Sequence, residues 1–176
     1  MPSSKVCSGY ALVARESYLQ IEAHSTLPNP IRGKALELNG IVSASVENGV
    51  LELDPMPAMH VLVPVAKLTS GNEFQDREIR KLIGSARNPH MIGELTRIER
   101  GPSPERFRVH GAITVNGVRQ EYDGEVTIRV QGSRIVIDGS QKMDIRRFGI
   151  TPPRILTIQV YPDFDVSMHV VAELAA

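Results

Sequence analysis

The sequence predicts an all-β fold: antiparallel strands closed into a barrel, with one short helix inserted between them. Three observations carry this. Apolar and polar residues alternate with period two along several long stretches, as half-buried strands require. Asn-Gly and Gly-Ser pairs separate them, and such residues accept the positive φ of two-residue hairpin turns. One segment alone, near residue 72, has the capping and spacing of a helix.

From the N-terminus, residues 1–9 are expected to be poorly ordered, as termini commonly are. Tyr18–Thr26, Lys34–Val46 and Ala58–Leu68 read as strands. Gly40 inside the second suggests a bend. Asn48-Gly49 signals a hairpin, and Asp54-Pro-Met-Pro57 a loop. Asn72 then caps a helix, with Gln75 three residues on. Ile79, Leu82 and Ile83 keep helical spacing, and Asp76–Arg80 and Glu73–Arg77 stand at i, i+4. Gly84 ends it.

The C-terminal half is more regular. In Glu105–Val115, Phe107, Val109, Gly111, Ile113 and Val115 share one face, opposite Arg106, Arg108, His110 and Thr114. Asn116-Gly117 turns the chain into Val118–Val130, where Tyr122, Gly124, Val126, Ile128 and Val130 are in phase. Gly132-Ser133 leads to Arg134–Arg146, with Ile135, Ile137, Gly139, Met143 and Ile145 in phase. Gly149 and Pro152-Pro153 then stop ladder pairing, since proline has no N–H to give. Asp163–Leu174 is the last strand. Neighbouring hairpins of this kind favour an up-and-down barrel, and eight strands enclose room for one small ligand.

Composition narrows the function. The chain has 176 residues, suiting one domain over 1–176, and 20 basic residues balance 20 acidic ones. A nucleic-acid partner is not expected, because no basic excess exists and no tryptophan offers a stacking platform. The single cysteine, Cys7, has no internal disulfide partner. No run is long enough for a membrane span, and no secretory signal is read at the start, so a cytoplasmic location is expected. The five histidines (His24, His60, His90, His110 and His169) show no zinc-binding spacing, and no GxSxG or glycine-rich phosphate loop occurs. No cofactor or metal is expected. His110 and His169 share a face with charged residues and are expected on the outer wall. His24 and His60 interrupt apolar strands, so they are the candidate acid or base if the interior is a reaction site.

Several segments, in order, resemble the YceI-like family of lipid- or polyisoprenoid-binding proteins. They are His24-Ser25, Pro30-Ile-Arg-Gly33, Asn72-Glu-Phe-Gln-Asp-Arg-Glu-Ile79, Asn88-Pro89, Ala112-Ile-Thr-Val-Asn-Gly-Val118 and Phe148-Gly-Ile-Thr-Pro-Pro153. Arg119-Gln-Glu121 departs from the family pattern, where a threonine, a basic residue and a proline are usual. The resemblance implies a lipocalin-like antiparallel barrel with an apolar tunnel. It also implies non-covalent binding, storage or transport of an isoprenoid quinone, polyisoprenoid or fatty-acyl lipid.

The expected lining is the in-phase apolar set: Val61, Val63, Phe107, Val109, Ile113, Val126, Ile128, Ile137, Met143, Phe148, Met168 and Val170. Arg147, beside Arg146 and Arg154, is the candidate for the ligand's head. Phe148 is expected at a barrel end, as a plug or a ligand contact. Two alternatives stand beside this reading. One is a small-molecule enzyme using a cavity histidine. The other is a structural domain with a filled core, whose strand edges would pair into a homodimer.

Overall fold

The computed structural model describes residues 5–83 and 86–175, so Gly84 lies outside the described residues. Among the described residues, thirteen strands and one α-helix follow in chain order: β1 (Ser8–Leu12), β2 (Tyr18–Ser25), β3 (Ile31–Leu36), β4 (Asn39–Glu47), β5 (Val50–Glu52), β6 (Ala58–Pro64), β7 (Leu68–Thr69), α1 (Glu73–Ile83), β8 (His90–Arg100), β9 (Arg106–Val115), β10 (Val118–Gln131), β11 (Arg134–Asp144), β12 (Arg154–Ile155) and β13 (Ile158–Leu174). The strands β1, β4, β6, β8, β9, β10, β11 and β13 neighbour one another in that order, all antiparallel. Pairing of β13 with β1, at Tyr10↔Leu174 and Leu12↔Ala172, closes an eight-stranded barrel.

The barrel therefore matches the expected class, and the departures are local. Ser8 and Gly9 pair with Ala44 and Ser43, so the paired wall begins inside the segment expected to be poorly ordered. Beyond β1 a 3-10 turn at Ala14–Glu16 interrupts the wall, and β2 resumes along the same β13 partner. Ser17 bridges the interruption: its hydroxyl accepts from the Val171 N–H at 3.0 Å and lies 3.3 Å from the Val171 carbonyl.

Lys34–Val46 is two strands, not one. Glu37 takes φ 61° between β3 and β4, so β3 pairs with β2 while β4 crosses to β1. The bend predicted at Gly40 is a close approach. Its φ is 153°, and a Cβ there would lie 2.1 Å from the His60 carbonyl oxygen. The expected strand Ala58–Leu68 ends at Pro64, then a 3-10 turn at Val65–Lys67 precedes β7. The expected strand Arg134–Arg146 ends at Asp144. Ile145–Phe148 form a 3-10 turn, started by the Asp144 carboxylate accepting from the Arg146 N–H and finished by Gly149 at φ 72°.

β8 lacks a continuous alternation, and a bulge explains why. The register to β9 slips between Leu95 and Arg97, and Thr96 donates its hydroxyl to the His110 carbonyl at 2.8 Å. Met91 and Leu95 keep one phase and Ile98 the other, because the extra residue reverses which side chains face inward.

The helix is capped as predicted: the Asn72 side chain accepts from the Phe74 and Gln75 N–H groups at 3.0 and 3.2 Å. The expected Asp76–Arg80 pair is replaced. Asp76 is buried and accepts from the Ser70 N–H, the Ser70 hydroxyl and the Thr69 hydroxyl at 2.7, 2.6 and 2.9 Å. Arg80 donates instead to the Leu68 carbonyl at 3.0 Å. These bonds tie α1 to β7. Ile79 and Leu82 pack against the core, and Ile83 is buried in it. Among the described residues, no helix is long and apolar enough to cross a membrane.

Candidate functional site

The barrel interior holds a cavity of about 260 Å³ with an almost wholly apolar wall. The wall comes from alternate residues of every long strand, because period two sends each second side chain inward. Of the predicted residues, Val61 and Val63 line it from β6, Val109 and Ile113 from β9, and Val126 and Ile128 from β10. Ile137 and Met143 contribute from β11, Met168 from β13, and Phe148 from the turn after β11. Phe107 and Val170 are buried but lie off the cavity wall, packed in the surrounding core.

Sequence reasoning missed part of this wall. Leu19 and Ile21 of β2, Val42 and Ala44 of β4, and Met91, Leu95 and Ile98 of β8 also line it. The signal existed for β2, where Leu19 and Ile21 alternate with Gln20 and Glu22. For β4 and β8 the break at Glu37 and the bulge at Thr96 hid it.

Phe148 closes one barrel end. It is 1% exposed, with Ile145 and Ile150 buried on either side. The Asn116 side chain of the β9–β10 turn donates to its carbonyl at 3.3 Å. Tyr122 stacks on it with ring centroids 6.4 Å apart.

Beside this plug the wall parts. β10 pairs with β9 from Val118 to Thr127, and β11 pairs with β13 along its whole length. The β10–β11 ladder, however, starts at Gln131↔Arg134 and stops at Val126↔Gly139. Tyr122 to Glu125 form one lip of the gap, Ser140 and Gln141 the other, and residues of both lips line the cavity. The Gln141 side-chain oxygen lies 3.2 Å from where a Cβ on Gly124 would be, so glycine lets it lie across the gap. At the plug end, Gln120 and Arg147 form a clasp. Gln120 donates to the Arg147 carbonyl at 2.8 Å, and the Arg147 guanidinium donates to the Gln120 oxygen at 3.2 Å.

Arg147 is exposed, outside the wall, with its guanidinium 4.6 Å from the centre of the Tyr122 ring. The Tyr122 hydroxyl is buried and finds no hydrogen-bond acceptor among the described residues. Burial raises its pKa above the usual value, and the charge of Arg147 and a hydrogen bond from its guanidinium partly oppose this. The neighbouring arginines differ. Arg146 is neutralised by Asp144, at 3.0 Å and closer, while Arg154 stands exposed on β12.

The candidate acid–base histidines are corrected by this geometry. Neither His24 nor His60 is on the cavity wall. His60 is exposed and faces Glu94 at 3.6 Å on the outer surface. His24 lies 3.5 Å from Glu22 and 3.6 Å from Asp165, also outside. That trio groups three side chains able to ligate a metal, though none was expected from spacing, because Asp165 arrives from the neighbouring strand. His110 and His169 are on the outer wall as expected, paired with Asp123 and Asp138.

The architecture defines a class: a closed, lipocalin-like antiparallel barrel around an apolar cavity. The YceI-like domain model matches residues 10–172, so the chain belongs to that family. The comparison with curated proteins finds no match. Solved structures share the fold at low identity. BcnA of Burkholderia cenocepacia is 12% identical with a TM-score of 0.75, covering 91% of this chain and 98% of its own. A polyisoprenoid binding domain from Saccharophagus degradans is 11% identical with a TM-score of 0.73, covering 94% and 98%. The Campylobacter jejuni YCEI protein is 15% identical with a TM-score of 0.69, covering 87% and 90%.

Proposed function

We propose that the barrel binds one long apolar molecule, an isoprenoid or fatty-acyl chain, and carries or stores it without covalent change. The observation that carries this is the cavity itself: about 260 Å³ walled mainly by aliphatic side chains. Its volume lies just below the roughly 300–1,000 Å³ usual for small-molecule pockets, which suits a slender chain better than a fused ring system. Each methylene moved from water into such a wall contributes about 0.8 kcal/mol, so a chain needs few polar contacts to bind. The family, and the Saccharophagus degradans neighbour described as polyisoprenoid binding, support the same reading. Met143 and Met168 on the wall adapt to an irregular chain because their side chains are unbranched.

The test is extraction of the purified protein with organic solvent, followed by mass spectrometry, together with uptake of isoprenoid quinones and fatty acids. A stoichiometric chain lipid in the extract, or saturable uptake, is the expected result. An empty extract with no uptake would overturn the proposal.

A further inference from the structure

We propose that the gap between β10 and β11 is the head-group site of the ligand, and that Tyr122 and Arg147 select a chain ending in an oxyanion, a carboxylate or a phosphate. This rests on the chain-binding reading above and specifies the polar end that reading leaves open.

At the gap, both lips of an unpaired wall line the cavity. A chain entering there keeps its polar end at the surface while its tail lies against Val126 and Met143. Tyr122 stands at that point, and its buried hydroxyl has no acceptor among the described residues. A buried donor left unpaired is unfavourable, so a ligand oxygen that accepts from it gains a bond the empty protein lacks. A phenol keeps its proton at neutral pH, so the hydroxyl acts as a donor.

Charge sets the sign of the head. Arg147 touches Gln120 and the Tyr122 ring, neither of which is a carboxylate. The acidic groups nearby already have partners. Asp144 is held by Arg146, Glu121 by Arg119 at 3.4 Å and Glu125 by Arg106 at 3.9 Å, and Asp123 bonds His110, which adds a positive charge only when protonated. Among the described residues Arg147 makes no salt bridge, although its charge also acts on Asp144, and its guanidinium fork suits the planar oxygens of an oxyanion. Reaching them exchanges the Arg147 bond to Gln120 and shifts its contact with the Tyr122 ring, which an exposed side chain does readily.

The experiment compares chains of equal length by displacement of the fluorescent probe N-phenyl-1-naphthylamine. Oleate, oleyl alcohol and octadecene form one series, and geranylgeranyl phosphate and geranylgeraniol a second, which tells a carboxylate from a phosphate. The unaltered protein is expected to bind at least one oxyanion about tenfold more tightly than its alcohol, on the scale of a charge-assisted hydrogen bond. Tyr122→Phe and Arg147→Gln should each remove most of that preference and leave octadecene binding within about twofold, which also shows that the barrel is intact. If Tyr122→Phe disturbs folding, Arg147→Gln decides alone, since its side chain is exposed. Equal binding of oxyanion and alcohol in the unaltered protein, or equal losses for both in the variants, overturns the assignment while leaving the cavity reading in place. Failure of every chain to displace the probe overturns both.

Discussion

Val126 on β10 and Gly139 on β11 form the last bridged pair before the two strands part. They touch closely: a Cβ on Gly139 would lie 2.9 Å from a Val126 methyl. Val126 therefore stands both at the base of the gap and on the cavity wall. Val126→Trp should fill the lumen and abolish uptake of a chain ligand. The β-rich circular dichroism should persist, because the added ring occupies space that is empty. Unchanged uptake would place the ligand elsewhere.

Phe148 holds the opposite role, as the stopper of one end. Phe148→Ala should cost about 3–5 kcal/mol, the usual range for deleting a buried aromatic ring. It should also lengthen the cavity. Chemical denaturation measures the first effect. Uptake of a chain several methylenes longer than the unaltered protein accepts measures the second.

Gly40 is fixed by its neighbour. Its φ is 153° and a Cβ would stand 2.1 Å from the His60 carbonyl oxygen, so any side chain forces β4 away from β6. Gly40→Ala should cost at least about 3 kcal/mol, through backbone strain and lost wall pairing. A variant that melts within a few degrees of the parent would disprove the close approach.

Asp76 makes α1 sensitive to acid. Hydrogen bonds from Ser70, ahead of those from Thr69 and the charge of Arg80, lower its pKa below the ordinary 3.8. A carboxylate depressed in the folded state adds stability above its unfolded pKa and loses it as pH falls through the folded value. The parent protein should therefore lose this contribution only below about pH 4. Asp76→Asn should cost roughly 1–3 kcal/mol at pH 7, the scale of a lost buried charged acceptor. Its penalty should shrink as the pH is lowered to about 2, where the parent carboxyl protonates too. A penalty that stays constant across that range would show that the charge does not matter.

Much of this was legible in the chain itself. Alternation along 105–130 and 134–144 placed Val109, Ile113, Val126, Ile128, Ile137 and Met143 on the inner face, because period two is a property of the extended backbone and needs no partner. Asn116-Gly117 and Asn72 marked a turn and a cap for equally local reasons: one needs positive φ, the other an acceptor near free N–H groups. What the tertiary structure decided is where local order breaks. The bulge at Thr96 reverses the phase of β8, and the φ of Glu37 sends β4 to a new neighbour. Each makes sense only against the strand it meets. The gap beyond Val126↔Gly139 is of the same kind. β10 keeps its alternation past that pair while β11 places Gln141 in the inward phase, and the two stop bonding as each follows its other neighbour, β9 or β13. The meeting of Tyr122, Gln120 and Arg147 depends on that parting, and no spacing in the sequence records it.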